Sequence, residues 1–210
     1  MANSLPKRPG LLPNEGALGF RAHSGWAALV AVAGPAADPS VVLRRRVVLS
    51  RRTPRQPFHA AEGKPFAAAQ ELIRRASAEA TGLADRAVAD AIAELQASGY
   101  ETVGSGLLLA AGRPLPGLRE ILASHALIHA AEGELFRDVL RQASGRHGLR
   151  VSEVKERELD ERVTMALRRP AAEVARRLAE WGKALGAPWT QDEKRAALVA
   201  WLALAARSGA

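Results

Sequence analysis

The chain has no cysteine among its 210 residues, which removes disulfides, thiolate zinc sites and cysteine nucleophiles together. Any metal site must be built from His, Asp and Glu. Aromatic residues are scarce at 4% although hydrophobic residues reach 48%, so the core must come mainly from Ala, Leu and Val. Close helix packing through small side chains follows. No apolar run approaches the roughly 18 residues that a membrane span requires, and the opening MANSLPKRPGLLPNEG lacks the apolar centre of a signal peptide. A soluble cytoplasmic protein with no membrane partner is the expectation. The absence of a Walker loop, a Rossmann fingerprint and a serine-centred nucleophile elbow argues against nucleotide hydrolysis by those routes.

Acidic residues are scarce in the first third. Residues 1–60 hold nine Lys/Arg against two Asp/Glu, a balance of +7, whereas residues 61–210 balance at +1. The densest basic stretch is Arg44, Arg45, Arg46, Arg51, Arg52 and Arg55, with no acid between them. Such a strand and loop suit contact with the phosphates of DNA or RNA, and the alternative is a solvated basic face.

Five histidines are present, and two of them sit in a repeated string. HAAEG occurs as His59 to Gly63 and again as His129 to Gly133, and His125 lies one helical turn before the second copy. Imidazole and carboxylate together can bind a metal, move protons or hold a phosphate through a partner. At about 100° per residue, His125, His129 and Glu132 fall within an arc of about 60° on one helix face, which suits Zn, Mn or Fe with open positions. A divalent metal is the cofactor this set could take. In a metal-free site His59, Glu62, His129 and Glu132 would bind a ligand or act as acid and base. The competing reading makes these histidines hydrogen-bonded structural groups at a helix-sheet junction, with His59 a loop residue and Glu62 favouring a helix N-terminus. His23, beside Ser24, Gly25 and Trp26, is a candidate third contributor to a shared pocket. Asp192 is either a further pocket residue or a first-turn acid complementing a helix dipole. Glu134 and Arg137 have the spacing of an exposed helical pair.

Residues 1–16, rich in Pro and Gly, read as a flexible leader and residues 17–210 as one α/β domain. GFRAHSGWAALVAVAG reads as one extended segment, and SVVLRRRVVLSR as its antiparallel partner. A helix from Pro65, continuous or broken near Gly82, ends at Gly99. TVGSGLLLAAG reads as a buried strand, so the crossover implies a sheet with a parallel part. Residues 117–143 are helical by pattern, with Ser124 as an internal cap. LRVSEVK reads as a strand, and residues 158–206 as mainly helical, with Trp181, Trp189 and Trp201 as core anchors. Thr190-Gln191-Asp192-Glu193 is a capping box that opens the last helix.

Three stretches give the chain a distant resemblance to the ribonuclease H-like superfamily, nearest its Holliday-junction resolvase branch. SGWAALVAV resembles the start of the resolvase sheet, and TVGSGLLLAAG sits where its central strand would lie. GLRVSEVK and TQDEKRAALVAWLALA resemble the closing strand and the final helix. The resemblance implies a mixed sheet with flanking helices, and in members that cut nucleic acid it implies carboxylates holding two divalent metals. By position Asp192 matches the acid of the final helix and Glu153 one on the closing strand. Ala22-His23-Ser24 stands where the first aspartate would be, and TVGSGLLLAAG has no acid. The expected function is therefore a nucleic-acid-associated protein on this scaffold, with the standard two-metal nuclease centre absent or rebuilt. The alternatives are a His/Glu-based, metal-dependent hydrolase and a noncatalytic scaffold.

Overall fold

The computed structural model describes residues 14–110 and 114–208. Most of the expected leader, residues 1–13, lies outside the described residues. Its last three positions belong to the first strand, β1 (Asn14–His23). The extended segment read as one strand is two. A tight turn at Ser24-Gly25 separates β1 from β2 (Trp26–Ala33), and Gly25 takes a φ of 78° that only glycine adopts without cost. The two strands pair antiparallel from Gly16 opposite Ala33 to His23 opposite Trp26. The third strand, β3 (Ser40–Val48), then pairs antiparallel with β2, as the hairpin reading expected.

After the short helix α1 (Pro57–Ala61), α2 (Phe66–Ala97) runs unbroken through Gly82. Pro65 occupies the N-cap, one residue before the helix proper. The chain returns as β4 (Tyr100–Leu109), parallel to β1. The next helical stretch divides into α3 (Leu118–Leu122) and α4 (His125–Arg146), with Ser124 at the N-cap position. A second parallel strand follows, β5 (Val151–Lys155), and then a 3-10 turn over Glu156–Glu158. Helices α5 (Leu159–Leu167), α6 (Ala171–Leu185) and α7 (Gln191–Ser208) complete the chain's described part. The sheet order is β3-β2-β1-β4-β5.

Alternation along β1 sends successive side chains to opposite faces. Leu18 and Phe20 meet α2 and α4 in a core with Leu29, Leu107, Phe136 and Leu140. Ala17 meets the other layer, where α7 packs with α5 and α6. On that face Gly19 and Gly106 are register partners on adjacent strands. A Cβ at Gly19 would lie 2.0 Å from the Ala196 carbonyl oxygen, and one at Gly106 would lie 2.1 Å from that of Val199. The backbone of α7 therefore lies directly on the sheet. Residues 196–204 are buried without interruption because α7 has the sheet on one side and Leu159, Val163, Val174 and Trp181 on the other. Trp201 donates from Nε1 to the Ala36 carbonyl and stacks at a tilt on Trp181, with centroids 5.2 Å apart. The capping box forms: the Thr190 amide donates to Glu193 at 2.7 Å, and the Thr190 hydroxyl accepts from the Asp192 amide at 3.2 Å.

Candidate functional site

The two HAAEG copies, seventy residues apart in sequence, meet in space. Pro57 starts α1, which packs against α4 through Phe58, Ile128 and Ala131. This brings His59 over the first turns of α4, where its ring centroid lies 4.6 Å from that of His129 and 5.4 Å from that of His125. His125 and His129, one turn apart on the exposed face of α4, have centroids 4.6 Å apart and Nε2 atoms 3.1 Å apart. One nitrogen from each of the three rings lies within 4.8 Å of the other two.

Glu132 is not part of this exposed face. Its residue is only 2% exposed, and its Oε2 accepts from the Phe58 amide at 3.2 Å, the His59 amide at 3.3 Å and His59 Nδ1 at 2.9 Å. The sequence grouping of His125, His129 and Glu132 as metal ligands is therefore corrected. Two helical turns separate the ends of that set, and α1 covers Glu132 while leaving His125 and His129 in solvent. The third imidazole comes from His59 instead. Burial pushes the Glu132 carboxyl above its usual range, outweighing the opposing hydrogen bonds from the His59 side chain and the α1 amides. Its other oxygen, Oε1, is buried without a hydrogen-bond partner. Glu62 is exposed just beyond α1, with its Oε1 3.8 Å from His125 Nδ1. Each copy's carboxylate thus faces a histidine on the other element. Gly63, with φ of 72° and open space about it, is a turn residue, whereas Gly133 makes room for the Arg137 guanidinium.

His23 belongs to a second cluster, at the end of β1. His23 Nε2 lies 2.9 Å from Asp192 Oδ1 in the first turn of α7, and Arg21 reaches the same oxygen at 3.0 Å. Arg21 also holds Glu156 at 3.0 Å. The His23 ring stacks on Trp26 with centroids 4.3 Å apart, and the Arg46 guanidinium covers the same indole at 3.6 Å. Glu153 does not join Asp192; it pairs with Arg141 of α4 at 2.6 Å. Glu153 does lie on the last strand, β5, as its positional match expected, and there its carboxylate is taken by Arg141. Glu134 and Arg137 pair at 3.0 Å, but Arg137 is buried rather than exposed.

The basic run divides by strand geometry. Arg44 spends its guanidinium on the carbonyls of Leu185, Gly186 and Pro188 at the end of α6. Arg45, pointing to the opposite face, pairs with Glu94 of α2. Arg51 and Arg52 remain exposed and line an open hollow of about 680 Å³ with Arg74, Arg75 and Arg86 of α2. Arg74 pairs with Glu71, but Arg51, Arg52, Arg75 and Arg86 form no ion pair among the described residues. The hollow's carboxylate, Glu79, is already committed to the amides of Arg52 and Thr53 and to the Thr53 hydroxyl. Burial acts against ionisation of Glu79, yet these donors prevail and hold its carboxyl below the usual range. The sequence reading missed Arg75 and Arg86; their spacing of eleven residues, with Glu79 and Gly82 between, marks one face of α2.

No family model and no curated protein matches this sequence. Among solved structures the chain is similar to Thermus thermophilus RuvC in complex with a Holliday junction substrate, at a TM-score of 0.56 and 13% identity, covering 93% of this chain and 96% of that one. A second structure of Thermus thermophilus RuvC gives a TM-score of 0.55 and 15% identity, covering 92% of this chain and 96% of the other. The fold is ribonuclease H-like, a mixed five-stranded sheet with flanking helices and a helical C-terminal part. Among the described residues no helix is long and apolar enough to cross a membrane.

Proposed function

We propose that the chain binds nucleic acid along the phosphate backbone and does not cut it by the two-metal route. The observation that carries this reading is the convergence of Arg51, Arg52, Arg75 and Arg86 on one hollow, with no ion pair to any of the four among the described residues. Guanidinium groups gathered on one surface recruit phosphates and release condensed counterions. The structural neighbour that holds a Holliday junction supports DNA as the first ligand to test.

The noncatalytic half of the reading rests on charge at the end of β1. A two-metal centre needs carboxylates free to share two dications. Here Asp192 and Glu156 are bound by Arg21, and Asp192 also by His23. Arg21 thus already neutralises the two carboxylates that face it at the end of β1.

The test is a titration of branched and linear DNA, and of RNA, at several salt concentrations. Each phosphate contact contributes a slope of about 0.9 in log K against log salt, so replacing Arg51, Arg52, Arg75 and Arg86 together should lower the slope by roughly 3 to 4 units. An unchanged slope would overturn the proposed interface. Magnesium- or manganese-dependent cleavage abolished by Asp192→Asn would overturn the noncatalytic half.

A further inference from the structure

We propose that His59, His125 and His129 form a binding site for one borderline divalent transition-metal ion of the zinc class, with Glu132 as the positioning residue behind His59. This inference is independent of nucleic-acid binding.

The geometry fixes which atoms take part. His59 Nδ1 is engaged by Glu132 at 2.9 Å, leaving Nε2 as its free ligand atom. His125 and His129 already face each other through Nε2 at 3.1 Å. Metal-nitrogen bonds of about 2.0–2.1 Å place neighbouring ligand nitrogens roughly 3 Å apart, so this pair has the spacing of two ligands on one ion. One nitrogen of the His59 ring lies within 4.8 Å of a nitrogen of each of the other two rings, so in the proposed site a modest side-chain adjustment brings the three onto one ion. Three imidazoles with no thiolate favour Zn, Co, Ni or Cu, whereas Mg and Ca prefer oxygen ligands. The exposure of His125 and His129 leaves room for water or an anion as a fourth ligand.

Glu132 is the second observation. A carboxylate buried to 2% exposure is costly unless hydrogen bonds offset its desolvation, and here they come from the α1 amides together with His59 Nδ1. Metal-bound histidines characteristically donate their other ring nitrogen to a carboxylate, which fixes the tautomer and aims the free nitrogen. Glu132 meets this requirement for His59. Glu62, 3.8 Å from His125 Nδ1, stands in the corresponding place for a second ligand.

The experiment uses the full chain without an affinity tag, titrated calorimetrically with Zn²⁺, Ni²⁺ and Co²⁺ near neutral pH, with the Co²⁺ absorption spectrum recorded alongside. One ion per chain is expected, with visible Co²⁺ bands. His125→Ala and His129→Ala, on an exposed face, should each lower affinity at least tenfold without loss of helicity. Glu132→Gln should lower it by about 10- to 100-fold while stoichiometry stays at one. Absence of saturable binding by all three metals would overturn the site. So would His59→Asn, folded by circular dichroism, retaining full affinity, because that result leaves only a chelating pair on α4. Unchanged affinity in Glu132→Gln would remove its positioning role.

Discussion

Glu132 accepts from His59 at 2.9 Å although the two residues are separated by the whole of α2, β4 and α3. The same oxygen accepts the amides of Phe58 and His59, so one carboxylate holds both the backbone of α1 and the orientation of its imidazole. Glu132→Ala should cost about 1–3 kcal/mol, the usual penalty for leaving buried donors without an acceptor. Chemical denaturation measures the loss. Amide exchange should show faster opening at Phe58 and His59 than in β2. Protection unchanged at those two amides would contradict this account of α1.

The contact between α7 and the sheet leaves no space for a methyl group at Gly19 or Gly106. Gly106→Ala should destabilise by about 3 kcal/mol or more, since the obstacle is backbone rather than a movable side chain. Gly145→Ala is the control, because nothing lies within 4 Å of its Cβ position. Thermal denaturation of the two variants should separate them clearly.

Arginines of the basic run should sort into two phenotypes. Arg44 satisfies carbonyls at the end of α6, so Arg44→Ala should lose about 1–2 kcal/mol of stability and keep the salt slope of nucleic-acid binding. Arg51→Ala should do the reverse. Denaturation and binding measured on the same preparations check both, and a stable Arg44→Ala with a reduced slope would restore the phosphate role read from the sequence.

Acid should loosen the segment at residues 51–53. Glu79 has a folded-state pKa below its unfolded value because its hydrogen bonds outweigh burial. Its contribution is therefore fully present above the unfolded carboxylate pKa and is lost as pH falls through the lower folded value. The denaturation midpoint of wild type should decline more steeply with acidification than that of Glu79→Gln. Parallel declines would show that Glu79 contributes no such linkage.

Local signals in the sequence located most elements. The Thr190 capping box and the apolar period of α2 act within a few residues, and both helices start within two residues of the expected positions. The Ser24-Gly25 turn escaped because it lacks the usual Asn-Gly or Asp-Gly signature and no loop separates it from the apolar run of β2 that follows. Five strands were consequently read as four. At the histidine cluster the repeated string drew attention to the right residues, but a helical arc measures angle alone. It could not show that α1 would cover Glu132 and supply His59. The guanidinium hollow was hidden for a different reason: the arginines of α2 lie in a region of nearly balanced charge, and their convergence with Arg51 and Arg52 is created by the crossover.

The seating of α7 on Gly19 and Gly106 also constrains the order of events in folding. This helix covers β1 and β4, which end more than eighty residues before it begins, so its contacts are non-local and their loop-closure cost must be met before they stabilise anything. A chain emerging from the ribosome can form β1, β2, β3, α2 and β4 while one face of that sheet is still bare. Until residues 196–204 arrive, the glycine slot is an open apolar seam, and a truncated or stalled chain would present it to other molecules.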